Sequence, residues 1–431
     1  MRLVSTAGKS PPTELKTALL ESLAPDGGLY VPEVLAPLSE SVLEHFGCGD
    51  FETTASRLAR HLLGDSLAPD DLDAIVRSAL DFPIPLVRLN ERIFALELFH
   101  GPTLAFKDVA ARFLARLMLH VFAGETRPLT VLVATSGDTG GAVAHAFYKL
   151  PNTRVVVLFP EGKVSPVQER QFSTLGENVL AVAVEGTFDD CQRLAKAALA
   201  DGSLRAEFLL TSANSINIGR LLPQIFYYFH ALAQLPGEPK EVIVSVPSGN
   251  LGNLTAGLMA KRLGLRVRRF VAATNANDVL REYLRTGSYC PRPARPTVSP
   301  AMDVGDPSNL ARIQWLYGGD LEGLKGDLEA FSYSDAETVE TVARYSARYD
   351  YLLDPHSAVA ALGLEDALAA SPECVGIFLA TAHPAKFSPV VERATGRPVP
   401  VPAQLDFKGR RSRVERIPPD LDRLKALLRR T

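Results

Sequence analysis

From about residue 90 onward the chain alternates two apolar patterns. Short β-rich runs, most of them largely apolar, occur at LTVLVAT (129–135), TRVVVLF (153–159), NVLAVAV (178–184), EVIVSV (241–246), RVRRFVAAT (266–274) and CVGIFLAT (374–381). Between them lie windows with apolar residues at three- and four-residue spacing, among them SPVQERQFSTL, DDCQRLAKAAL, LTAGLMAKRLG and DAETVETVARYSARY. Runs without a polar face predict strands covered on both sides, and their alternation with amphipathic windows predicts βα units in an α/β fold with largely parallel sheets.

Residues 1–90 differ. TELKTALLESLAPDGGLYVPEVL and DDLDAIVRSAL are mostly helical in pattern and are punctuated by Gly and Pro, which predicts a small helical N-terminal cap domain. The segment YCPRPARPTVSPAMDVGDPSN (289–309) carries too many prolines for a regular helix or central strand and reads as a structured functional loop. The charged tail from about 404 reads as a solvated extension or terminal helix. The resulting division is 1–90 (helical cap), 91–240 and 241–403 (two α/β domains) and 404–431 (C-terminal extension).

With 46 Lys and Arg against 49 Asp and Glu, the net charge of −3 gives no argument for nucleic acid or an anionic membrane as partner. A small anionic ligand fits the composition. Cys48, Cys191, Cys290 and Cys374 are scattered, without a CxxC pair or an HExxH string, so neither a metal site nor a disulfide framework is expected. Reduced thiols, and a start lacking the apolar run of a signal peptide, lead us to expect a soluble, cytoplasmic protein. The oligomeric state stays open, a monomer included.

Three features carry chemistry. In LFHGPTLAFKDVAARFLARLM (98–118), Phe106, Val109, Ala110, Phe113, Leu114 and Leu117 form one apolar stripe, and Lys107 sits beside it in the first helical turn. The helix dipole and partial desolvation there favour a neutral, nucleophilic amine. Most lysines beside such a stripe merely lay their stems along it, so spacing alone does not single out Lys107.

Secondly, two strands run into glycine-bearing turns at helix starts, ATSGDTGG (134–141) and PSGNLGN (247–253), each a cup of free amides suited to an anion. The Walker lysine motif and the full dinucleotide glycine spacing are both absent. Thirdly, Thr381 ends an apolar strand at the edge where α/β folds bind ligands, although a hydroxyl there caps a helix as readily.

In this order, HGPTLAFKD, ATSGDTGG, PSGNLGN and TAHPAKF resemble the threonine synthases of the longer class found in bacteria and fungi. The resemblance extends to DGGLYVP, LFPEGKVSPVQERQ, GTFDDCQ, NSINIGR, SPAMD and DPHSAV, and so covers nearly the whole chain except the tail. It implies a tryptophan synthase β-like fold (fold type II of pyridoxal-phosphate enzymes), pyridoxal 5′-phosphate as cofactor, and conversion of O-phospho-L-homoserine and water to L-threonine and phosphate.

It further implies that Lys107 forms the Schiff base and moves protons, and that Gly249, Asn250, Leu251 and Gly252 form the phosphate turn. Thr381 becomes the partner of the pyridine nitrogen, and Asp138 flanks the cofactor. Thr135, Ser136, Gly137 and Thr139 hold the substrate carboxylate, with Asn214 also assigned to the substrate. Arg220, Lys163 and Lys386 are candidate cations for the substrate phosphate.

His100, His356 and His383 lie in motif strings but receive no catalytic role. Leu251 departs from the aromatic residue frequent at that position in the family. Two alternatives stay open at this point: a related lyase releasing a 2-oxo acid, and a non-catalytic protein binding a phosphorylated metabolite.

Overall fold

The computed structural model describes residues 1–44, 46, 49–237 and 241–430. Cys48 lies outside them. The chain divides into two units, Met1–Glu33, Lys107–Arg220 and Pro402–Thr431 in the first, Val34–Phe106 and Leu221–Val401 in the second. Each is assembled from separated stretches, so the structural division cuts across the four consecutive blocks drawn from the pattern. The reason is the path of the chain: a strand near residue 95 joins the later sheet, and the tail returns to the earlier one.

The first unit holds a five-stranded parallel sheet in the order Val414–Ile417, Val179–Val184, Thr153–Pro160, Leu129–Ala134, Leu209–Ser212. Its three central strands are those expected from the unbroken apolar runs, and Val131, Leu132, Val156, Leu158 and Val182 are wholly buried. Burial of this kind stabilises by about 1.5–3 kcal/mol for each large aliphatic side chain.

Both edge strands are short and escape the pattern. Leu209–Ser212 has four residues, and VERI (Val414–Ile417) carries two exposed charged residues. The tail is therefore more than a solvated extension: the helix Leu421–Arg430 buries Leu424, Leu427 and Leu428 in the same core as Cys191 and Leu194. A three-stranded antiparallel sheet, with Arg2–Ser5 central, precedes this sheet in sequence, so the early stretch contains strands as well as the helix Leu15–Glu21.

The second unit holds a six-stranded sheet in the order Leu328–Ser332, Arg269–Thr274, Val242–Pro247, Val375–Ala380, Ile93–Glu97, Leu86–Arg88, parallel except for the last pair. The helices Phe51–Leu63 and Pro69–Ala79, also from the N-terminal region, belong to this unit. Among the described residues no helix is long and apolar enough to cross a membrane.

The functional segments follow from the strand directions. Thr135 follows Ala134, residues 248–252 follow Pro247, and Thr381 follows Ala380, all at carboxyl ends of parallel strands, where main-chain amides are left to bind ligands.

Candidate active site

Within the first unit, Lys107 is the first residue of the helix Lys107–Val121. Its side chain is 16% exposed, and its Nζ lies 3.9 Å from Oδ2 of Asp138, whose side chain is 3% exposed. The helix end repels an ammonium by up to about 1 kcal/mol. A carboxylate at this distance attracts it by about 4 kcal/mol at an effective dielectric near 20. The Asp138 carboxylate therefore acts against the dipole invoked from the sequence and favours the charged form of the amine.

Asp138 is in turn held by Gln168, whose Nε2 donates to Oδ1 over 2.7 Å. Gln168 is buried and lies in the first turn of the helix Pro166–Ser173, which Ser165 caps. Its string, SPVQERQ, carries no local signal of chemistry in the sequence. No spacing rule marks a glutamine that meets its partner 30 positions away.

The loop after Ala134 is shaped from inside. Oγ1 of Thr135 accepts from the amides of Gly137 and Gly140, each at 2.9 Å, and donates to the Gly137 carbonyl at 3.0 Å. Gly137 has φ 152° and ψ −100°, a conformation in practice open only to glycine, and a Cβ there would stand 2.6 Å from the Gln168 amide group. Ser136 is exposed and Thr139 half-buried. Asn214 clasps the strand end, accepting from the Ala134 amide (3.2 Å) and donating to its carbonyl (2.8 Å).

Of the candidate cations, Lys163 is exposed in the turn after Thr153–Pro160. Arg220 is buried, donates to the Ala213 carbonyl at 2.5 Å and is attracted by the buried Asp108. Desolvation pulls its pKa down to about 10. Lys386 belongs to the second unit, where it is buried and donates to the Thr103 carbonyl at 2.8 Å.

In the second unit, the turn 248–252 ends at the helix Gly252–Arg262, whose first amides have no acceptor inside the helix. Leu251 caps it with φ 61°, in the left-handed region. Oδ1 of Asn250 accepts from the Ser308 amide (2.6 Å), and the Asn250 carbonyl accepts from Asn309 (2.9 Å), so the proline-rich loop braces the turn. Asn253, in the first helical turn, accepts from the hydroxyls of Tyr227 (2.5 Å) and Tyr228 (2.7 Å). Its Nδ2 is buried and finds no partner among the described residues.

Thr381 is buried, and its carbonyl accepts from the Phe106 amide at 2.9 Å. Burial lowers the pKa of His383, whose Nδ1 accepts from the Ala385 amide. His100 pairs with Glu97 at 2.7 Å. Glu241, Glu373 and Cys374 also come together, with Arg268 bridging the two carboxylates. Cys191, Cys290 and Cys374 are free thiols, and burial pushes Cys191 up to about 12.

Comparison with known proteins gives three family matches: "Pyridoxal-phosphate dependent enzyme" over residues 78–377, "Threonine synthase N terminus" over 2–80 and "Threonine synthase, C-terminal" over 357–428. Threonine synthase of Haemophilus influenzae is 49% identical over 395 residues, 90% of each chain. The crystal structure of threonine synthase from Escherichia coli superposes with a TM-score of 0.93 at 42% identity, covering 100% of both chains. A pyridoxal-phosphate-bound threonine synthase from Brucella melitensis gives 0.93 at 36% identity, covering 100% of this chain and 99% of that one.

The residues present suit that cofactor by the chemistry of their groups. Lys107 offers an amine to an aldehyde, the turn at Gly249–Gly252 offers amides to a phosphate with the buried Nδ2 of Asn253 beside them, and Thr381 offers a hydroxyl to a ring nitrogen. With three family matches that together span residues 2–428 and relatives alike along almost their full length, this chain belongs to the threonine synthase family of pyridoxal-phosphate-dependent lyases.

Proposed function

We propose that the chain converts O-phospho-L-homoserine and water to L-threonine and phosphate, with Lys107 as its central catalytic residue. The observation that carries this reading is the setting of Lys107, an amine at a helix start, largely shielded from water and held by a buried carboxylate. Pyridoxal phosphate, when bound, supplies an electron sink for negative charge developing on the substrate carbons. Lys107 holds the cofactor aldehyde when substrate is absent and moves protons at the α- and β-carbons when it is present.

Asp138 orients the amine, and Gln168 orients Asp138. Gly249, Asn250, Leu251 and Gly252 hold the cofactor phosphate through main-chain amides, and Thr381 donates to the ring nitrogen. Ser136, Gly137 and Thr139 receive the substrate carboxylate. Thr135 and Asn214, whose polar groups are engaged by the loop and strand end, act by shaping that loop. Arg220 and Lys163 supply positive charge for the substrate phosphate.

The test compares native chain with Lys107→Ala in phosphate release from O-phosphohomoserine, with the amino-acid product identified by chromatography. Native protein should release phosphate and threonine in equal amounts and give a borohydride-trapped cofactor adduct on Lys107, with the variant inactive. Release of a 2-oxo acid in place of threonine would make the chain a phospholyase. An adduct mapped elsewhere would remove Lys107 from the role.

A further inference from the structure

Asp354 is buried at the N-cap of the helix Pro355–Ala369, where its carboxylate accepts from the amides of His356 (3.0 Å) and Ser357 (3.1 Å). A cap needs no more than this, and serine or asparagine performs it as well. Here the same carboxylate takes two further bonds, from Nδ1 of His356 at 2.6 Å and from the Ser357 hydroxyl. Each continues toward a different part of the second unit.

One arm runs through His356, whose Nε2 meets the amide of Ala301 at 3.1 Å. That amide can only donate, so Nε2 accepts and the imidazole proton sits on Nδ1, facing Asp354. The edge contact with Phe387, with ring centroids 4.8 Å apart, fixes the ring further. Ala301 and Met302 press against Gly249: a Cβ on Gly249 would lie 2.8 Å from Cα of Met302 and 2.9 Å from the Ala301 carbonyl oxygen. The other arm runs through Ser357, whose Oγ accepts from the Thr381 amide at 3.3 Å.

We propose that Asp354 is a positioning residue for the cofactor, setting the phosphate turn through His356 and Ala301 and the ring-nitrogen hydroxyl through Ser357 and Thr381. This rests on the assignment of Gly249–Gly252 and Thr381 made above. The cofactor carries its phosphate and its ring nitrogen on one small molecule, and one buried carboxylate reaching toward both protein contacts holds them in register with each other.

The experiment titrates pyridoxal 5′-phosphate into apoprotein of the native chain, Asp354→Asn, His356→Asn and Ser357→Ala. It follows the dissociation constant, the ³¹P shift of the bound cofactor, its absorption maximum and the melting temperature. Asparagine at 354 keeps the cap but offers one acceptor atom in place of two, so the dissociation constant should rise tenfold or more, with both spectra displaced. Asparagine at 356 keeps the bond to Asp354 and drops that to Ala301, so it should move the ³¹P signal alone. Alanine at 357 should move the absorption maximum alone.

If Asp354→Asn does not fold, the separation of the two spectra between the single-arm variants decides. Lower melting temperatures with unchanged cofactor affinity and spectra would overturn the inference, leaving Asp354 a helix cap. So would equal displacement of both signals by both single-arm variants. Failure of the native chain to trap cofactor on Lys107 would instead overturn the underlying assignment.

Discussion

The Asp138 carboxylate lies 3.9 Å from the Lys107 amine, and its other oxygen is held at 2.7 Å by Gln168. The amine is thus aimed by a buried chain of groups from three helix starts. Replacing Gln168 with leucine removes a charge-assisted bond and should cost about 2 kcal/mol in urea unfolding. Activity should fall about tenfold or more as Asp138 loses its orientation. Gln168→Glu, which sets two carboxylates face to face, should be at least as damaging, and its full activity would refute the role.

Leu251 holds φ 61° at the start of the helix Gly252–Arg262 and is also buried. Leu251→Ala should destabilise by about 2–4 kcal/mol from the lost side chain. Leu251→Gly loses the same packing but escapes the left-handed penalty, so it should be more stable than the alanine variant by about 1 kcal/mol. Inside a helix glycine is the worse of the two. Paired urea titrations check the sign.

Arg220 is buried with its charge near the buried Asp108. Arg220→Ala should therefore destabilise by about 3 kcal/mol, because it removes a buried charge that attracts the buried Asp108 carboxylate, in addition to weakening substrate binding. Arg220→Lys keeps the charge and isolates the binding role. A raised KM for phosphohomoserine, with cofactor affinity unchanged, is the expected result for this variant.

His230 and His383 are desolvated, and each titrates below the ordinary histidine value of 6.5. The unfolded chain therefore binds more protons than the folded one as pH drops below about 6.5. Stability contributed by the neutral rings is fully present above that pH and is lost progressively down through the folded-state pKa values. Melting temperature should fall from pH 7.5 to 5.5, and His230→Phe, which keeps a ring against Phe51, should flatten part of that slope. An unchanged slope would show that His230 does not contribute.

By itself, the sequence determined which segments become central strands. The strands in LTVLVAT and EVIVSV are largely apolar, with Thr130 and Ser245 buried among their neighbours, because parallel strands covered on both faces leave no polar side. The glycine-bearing turns were legible for a related reason, because a residue type that a turn demands can be read locally, whereas Lys107 stood out only through the order of the motifs around it. Ile93–Glu97, Leu209–Ser212 and Val414–Ile417 were not legible, being too short or too polar to stand out without their neighbours. The tertiary structure alone decided that Gln168 meets Asp138, that Asp354 reaches toward Gly249 and Thr381, and that Lys386 turns to Thr103. Each of these joins residues far apart in the chain, and a hydrogen bond depends on the distance between two atoms, which periodicity does not encode.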